Sequence, residues 1–158
     1  MNDKDAFALW IAEAMYRAKG DDFGAAALAD LSIKVNTSAD LDHELSKASG
    51  ARRPGDFGLE FLAAVLPALL VEFGRILWDA YAKSLAEQGA QALATATIDK
   101  VKELARHTWS RSSGVISLAD AESELRGAAA RVGLNATQTN ELVASLQSAE
   151  MAHEVAAR

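Results

Sequence analysis

The chain has 158 residues, half of them apolar, no cysteine, and a net charge of −6 from 16 Lys and Arg against 22 Asp and Glu. This length suits one domain with an adequate core, and the apolar content excludes intrinsic disorder. The lack of cysteine excludes a disulfide framework, a thiol nucleophile and a cysteine-ligated metal. The acidic balance disfavours general nucleic-acid binding, which needs cationic surface to displace phosphate counterions.

Residues 1–50 carry nine acidic and five basic side chains and predict a set of acidic N-terminal helices. Apolar residues recur at three- and four-residue steps over 7–18, and Gly20 predicts the end of this first helix. Asp21 or the next residue starts a second helix, and 37–40 has the capping-box pattern that opens a third. Because residues 1–5 lack the basic start of a signal peptide, we expect a cytoplasmic location.

The tripeptide Asp-Phe-Gly occurs twice, at 22–24 and at 56–58, each time before a run of Ala and Leu. In protein kinases this tripeptide holds magnesium, but neither a glycine-rich loop nor a catalytic-loop signature accompanies it here. Each copy is therefore interpreted as a helix start, with an N-cap Asp and a Phe that docks on the core.

Residues 56–109 predict a long central helical tract. Its apolar positions form a broad arc, which is typical of a helix surrounded by neighbours. Pro67 lacks a backbone N–H and predicts a kink or a restart, and Gly89 predicts a second break. A membrane-spanning helix needs roughly 20 predominantly apolar residues. The uncharged run 61–71 is therefore interpreted as core, with membrane insertion of 57–85 as an alternative.

Residues 117–156 predict a C-terminal helical hairpin. Ser117 starts a capping box, Gly133 suits the end of the first helix, and Asn135 or Thr137 starts the second. The spacing over 121–146 also suits a helix-turn-helix, but its recognition helix would contain neither Lys nor Arg, which favour phosphate and guanine contacts. We therefore predict no nucleic-acid partner. The whole chain predicts an all-α, single-domain bundle of about six or seven helices with a long apolar central helix.

Two carboxylate-x-x-His pairs are the candidate metal ligands: Asp40 with His43, and Glu150 with His153. On a helix this spacing places both side chains on one face, and di-iron bundles combine two such pairs with carboxylates from other helices. One pair has Asp where Glu is usual, and the other lies close to the C-terminus. We therefore expect exposed polar residues, no metal and no cofactor, and keep a di-iron-like bundle as an alternative.

The sequence contains neither a G-x-S-x-G nucleophile elbow nor a glycine-rich phosphate loop, so we predict that the protein is not an enzyme. The best prediction is a protein–protein interaction module: an adaptor, assembly subunit or inhibitor acting through helical surfaces. Its partner would be another protein or a second copy of the chain, with a membrane role disfavoured. Because aromatic residues dominate interface hot spots, the candidate contact residues are Trp10, Tyr16, Trp78 and Tyr81.

Overall fold

The computed structural model describes residues 1–50, 59–88, 96–110 and 115–158. Within these ranges it contains eight α-helices and no strand, which confirms the predicted all-α class. The helices are α1 Asp3–Ala18, α2 Asp22–Lys34, α3 Ser38–Gly50, α4 Leu59–Glu87, α5 Ile98–Trp109, α6 Leu118–Arg131, α7 Ala136–Leu146 and α8 Ala149–Ala157. Buried apolar residues from all eight helices form one core.

The described residues form eight helices where six or seven were predicted, because the last segment is divided near Ser148. The Ser148 hydroxyl oxygen accepts a hydrogen bond from the backbone N–H of Met151 at 3.1 Å. Such a bond satisfies a free donor at a helix N-terminus, so Ser148 starts a separate α8. Residues 117–156 therefore contain three helices, α6 to α8, where the sequence pattern predicted a two-helix hairpin.

The predicted helix starts are confirmed at three places by reciprocal hydrogen bonds between side chain and backbone, at 2.8–3.2 Å. The pairs are Thr37 with Asp40, Ser117 with Asp120, and Asn135 with Gln138. Gly20 and Gly133 follow α1 and α6 with positive φ angles of 76° and 84°. Glycine adopts this left-handed conformation without steric cost, which explains why both helices end there.

Helix α1 lies in the middle of the bundle and packs against α2, α4, α5, α7 and α8. Every residue of 7–15 except Glu13 is buried. The sequence pattern indicated one apolar stripe on this helix, but Ala8 and Ala12, outside that stripe, are buried as well. A helix that is apolar on most of its circumference is expected to be enclosed on all sides.

Helix α4 is long and apolar, as predicted, and packs against α1, α3, α5 and α6. Pro67 lies inside it, with helix on both sides, so no new helix begins there. A kink at Pro67 stays a prediction. Gly89 and the second Asp-Phe-Gly copy at 56–58 lie outside the described residues.

Gly74 lies where α4 crosses α1. A Cβ atom at Gly74 would be 2.6 Å from the Cα of Ala8 and 2.9 Å from its carbonyl oxygen. Because both are backbone atoms, Gly74→Ala must push the two helices apart. We expect it to lower the free energy of unfolding by about 2 kcal/mol, measured by urea denaturation.

The matched control is Gly127→Ala in the exposed middle of α6, where an added Cβ would meet no atom within 4 Å. This substitution should raise the free energy of unfolding by about 0.5–1 kcal/mol through helix propensity alone. Equal stabilisation by the two substitutions would contradict the close helix crossing.

Candidate functional site

The four aromatic residues predicted as partner contacts are all buried in the core. Trp10, Tyr16, Trp78 and Tyr81 are at most 8% exposed. The ring of Phe7 lies between three of them, with centroid distances of 5.5 Å to Trp10, 5.8 Å to Trp78 and 6.1 Å to Tyr81. Three of the four rings therefore pack on Phe7 within the core, and a role of the four residues as partner contacts stays a prediction.

Of these aromatic residues, Tyr81 has its polar end hydrogen-bonded within the chain, whereas the indole Nε1 of Trp10 is buried without a hydrogen-bond partner. The Tyr81 hydroxyl donates to Thr108 Oγ1 at 2.8 Å, and Thr108 donates to the carbonyl oxygen of Ile116 at 2.8 Å. Burial raises the pKa of Tyr81 to about 12, so its phenol is neutral at pH 7. The ammonium of Lys102 lies 5.1 Å from the centroid of the Trp10 ring, a cation–π distance.

The candidate metal ligands lie on two helices, Asp40 and His43 on α3, Glu150 and His153 on α8, and all four are exposed. The Asp40 carboxylate accepts from the backbone N–H of Thr37 at 3.1 Å, and hydrogen bonding with Thr37 lowers the pKa of Asp40. Its role in the structure is therefore to cap α3. Among the described residues, no group of three or more His, Asp or Glu side chains could hold a metal ion.

The polar residues of the possible recognition helix lie on α7 and bond within the chain. The side-chain oxygen of Gln138 accepts from the backbone N–H of Asn135 at 3.1 Å, as part of the α7 cap. The side-chain oxygen of Asn140 accepts from Arg126 on α6 at 3.0 Å. Gln138 therefore helps to start α7, and Asn140 joins α7 to α6.

Helix α2 is held against the end of α1 by a tight turn. Asp21 caps α2 by accepting from the backbone N–H of Gly24 at 2.8 Å. The absence of a side chain at Gly24 is required, because a Cβ atom there would be 2.3 Å from Cδ1 of Tyr16. Burial, together with the charge of Asp21, raises the pKa of Tyr16. The turn therefore fixes the position of α2 on α1.

A groove lies between α2 and α3, with the N-terminal half of α4 as its floor. Helix α2 packs on α1 and α3 packs on α4, which leaves a space of about 690 Å³ between them. We call this space the α2–α4 groove. Its apolar lining includes Phe23, Leu28, Leu31, Leu45, Leu62 and Leu66. Its charged lining residues are Lys19, Asp21 and Glu44.

Phe23 lines the groove and is 87% exposed, so the prediction that it docks on the core is wrong. The N-cap is Asp21, and the buried residues of α2 include Ala25 and Leu28. Phe23 lies five residues before Leu28, nearly one and a half helical turns away, and therefore on a different face. This spacing was the sequence signal that Phe23 does not share the face that packs on α1.

Pro67 interrupts the backbone hydrogen bonding of α4 at the floor of the groove. Pro67 and Ala63 both line the groove, and Ala63 is exposed. Because Pro67 has no N–H, the carbonyl oxygen of Ala63 does not receive the usual helical hydrogen bond. The groove, with its largely apolar lining and volume of about 690 Å³, is within the range of 300–1,000 Å³ that is common for binding pockets.

Among the described residues, α4 is the one helix long and apolar enough to span a membrane, over Phe61–Glu87. Half of its most apolar window is buried inside the protein, and a core helix passes the same test of length and composition. Two ion pairs join this helix to α1, Lys4 with Asp79 at 2.7 Å and Asp5 with Arg75 at 2.7 Å.

The fold and the site together define an all-α helical bundle with an apolar surface groove. Comparison of the chain with protein-family models, with curated proteins and with solved structures gives no match. The functional conclusion therefore depends on the geometry and chemistry of the groove itself.

Proposed function

We propose that the protein is a non-enzymatic protein–protein interaction module that binds an amphipathic helix of a partner protein in the α2–α4 groove. The observation that carries this proposal is the groove of about 690 Å³, whose apolar lining includes the 87% exposed side chain of Phe23. Exposed apolar surface of this kind is costly in a monomer and is typical of interaction sites.

The shape of the groove supports a helical occupant. Two helices form its walls and a third forms its floor, which is how proteins hold the apolar face of an amphipathic helix. A volume of about 690 Å³ accommodates several large side chains, such as those at positions i, i+3 or i+4, and i+7 of a partner helix.

The charge around the groove supports a partner with basic residues beside its apolar face. The charged side chains that line the groove are Lys19, Asp21 and Glu44, one basic and two acidic, a net charge of −1. Complementary charge increases the association rate and discriminates against wrong partners more than it raises affinity. The net negative charge of the lining therefore favours a cationic amphipathic helix over an acidic one.

The proposal is tested by placing the photo-crosslinking residue p-benzoylphenylalanine at Ala27, an exposed position lining the groove, in the native cells. We expect a covalent adduct with a partner protein, because the probe would lie against the bound helix. Ala63→Lys should remove that adduct, since a bulky cation on the groove floor fills space and repels a basic partner.

The matched control places the same probe at Ala130, an exposed alanine on α6 far along the chain from the groove. Finding no adduct from Ala27, or the same adducts from Ala130, would contradict the proposed function. Adducts are identified by mass spectrometry, which separates a different protein from a second copy of the chain.

The other two functions stay predictions. Membrane insertion of 57–85 is favoured by the length and apolar character of α4. The di-iron-like alternative needs the exposed pairs on α3 and α8 to meet with further carboxylates, and no observation favours it over the groove. A cytoplasmic location also stays a prediction.

A further inference from the structure

The outer face of α2, which points away from α1, carries the two most exposed large apolar side chains among the described residues. Phe23 is 87% exposed and Ile33 is 81% exposed. Ala26 lies between them and is also exposed, so the backbone of α2 is accessible there. Isolated exposed apolar residues are common, but two on one helix face around an alanine form a contact surface.

The residues of this face are arranged symmetrically about Leu28, which is buried on the opposite side of α2. Asp22 and Lys34 lie six residues to either side of Leu28, and Phe23 and Ile33 lie five residues to either side. Reversing the direction of the helix thus exchanges acid with base and one large apolar side chain with the other. We define the outer face of α2 by six residues: Asp22, Phe23, Ala26, Asp30, Ile33 and Lys34.

We infer that a second copy of this chain packs antiparallel on the outer face of α2, with a twofold axis at the level of Leu28. Phe23 of each copy then contacts Ile33 of the other, and Asp22 of each pairs with Lys34 of the other. A twofold interface of this kind uses one self-complementary patch on both copies. The small side chain of Ala26 lets the two helices approach closely.

Charge selects the antiparallel orientation over the parallel one. Parallel packing would place Asp22 beside Asp22 and Lys34 beside Lys34, whereas antiparallel packing places opposite charges together. Asp30 lies near the middle of the face, opposite Ala26 of the second copy, and its charge is balanced by Lys34 of its own chain at 3.5 Å. Like charges brought together at an interface disfavour the wrong arrangement.

The dimer interface and the α2–α4 groove share Phe23, but most of the groove lining lies outside the interface. Groove-lining Leu31 and outer-face Ile33 lie two positions apart, about 160° around the helix axis at 100° per residue. The second copy therefore covers Phe23 at the rim of the groove and leaves Leu31, on another face of α2, uncovered. The inference goes beyond the proposed function: the two share Phe23 but are tested separately, because the disulfide test reports a second copy and the Ala27 probe identifies any other protein in the groove.

Because the chain has no cysteine, the packing can be tested by engineered disulfides. The variants are Phe23→Cys, Ile33→Cys and the double variant, oxidised with copper phenanthroline. In the double variant the two cysteines of one chain are about 15 Å apart along α2, too far for an internal disulfide. We expect the double variant to form a covalent dimer and each single variant to stay monomeric.

A second test uses charge exchange, followed by sedimentation velocity against the chain mass of 16.7 kDa. We expect the unmodified protein to sediment at twice this mass at micromolar concentration. Asp22→Lys or Lys34→Glu alone should weaken dimerisation at least about tenfold, because each places like charges together. The double exchange should restore it, and circular dichroism checks that every variant folds.

A monomeric unmodified protein, or equal crosslinking of both single-cysteine variants, would overturn the inference. Failure of the charge exchange to restore dimerisation would overturn the antiparallel arrangement. If the Ala27 probe still captures a different protein in these cases, the proposed function stands without the dimer. If dimerisation is found and the probe captures no other protein, the inference stands and the groove proposal fails.

Discussion

Phe7→Ala should lower the free energy of unfolding by about 4 kcal/mol, the largest effect expected of any single substitution considered for this protein. Phe7 is fully buried in α1, and its ring is within 6.1 Å of the rings of Trp10, Trp78 and Tyr81. Removing the ring leaves a cavity at the crossing of α1 and α4 that rigid helices cannot fill. Urea denaturation followed by circular dichroism measures the loss.

The matched control is Phe23→Ala, which removes the same ring from a position that is 87% exposed. Its free energy of unfolding should change by at most about 0.5 kcal/mol when both proteins are compared as monomers. The difference between the two substitutions isolates the effect of burial. A loss below about 1 kcal/mol for Phe7→Ala would mean that the aromatic cluster does not organise the core.

Arg75→Met should lower the free energy of unfolding by about 3 kcal/mol, because it leaves a buried carboxylate without its cation. Arg75 on α4 donates to Asp5 at 2.7 Å and to Asp42 at 2.8 Å, and so joins α1, α3 and α4. The Asp5 side chain is 3% exposed and also accepts from the Ser38 hydroxyl. Loss of Arg75 also frees α3, which is one wall of the α2–α4 groove.

Lys4→Met is the control for Arg75→Met. It breaks the ion pair of Lys4 with Asp79, whose side chains are 36% and 63% exposed. Exposed ion pairs contribute at most about 1 kcal/mol, so this substitution should have a small effect. Adding Asp5→Asn to Arg75→Met should recover part of the lost stability by removing the buried charge. Free energies of unfolding are measured by urea denaturation. Equal losses from Lys4→Met and Arg75→Met would contradict the idea that replacing Arg75 leaves Asp5 as an unpaired buried charge.

Local structure was predictable where a short sequence pattern closes its own hydrogen bonds. The boxes beginning at Thr37 and Ser117 satisfy backbone donors within three residues, and Gly133 ends α6 by its own conformation. Ser148 also accepts a hydrogen bond from the backbone at the start of a helix. Three residues later, where a capping box needs an acidic or amide side chain, the chain has Met151, whose side chain returns no such hydrogen bond. The start of α8 was therefore missed.

The proposed interaction surface, the α2–α4 groove, was not predictable in the same way. Aromatic residues are favoured at interfaces, but the same residues fill cores, and Trp10, Tyr16, Trp78 and Tyr81 are all buried. Phe23 belongs to the same residue class and is exposed. Whether an aromatic side chain is buried depends on which other helix packs against it. The pattern of apolar residues within one helix does not contain that information.

The sequence by itself determined that this chain is helical, acidic and free of cysteine, and where most of its helices start and stop, because these properties depend on residues within one helical turn. Only the tertiary structure placed α1 in the middle of the bundle, paired Asp5 with Arg75, and left a groove between α2 and α3. Those features depend on residues 30 to 70 positions apart, and on close crossings such as Ala8 with Gly74 that no local pattern specifies. The groove exists because α2 is held on α1 while α3 is held on α4.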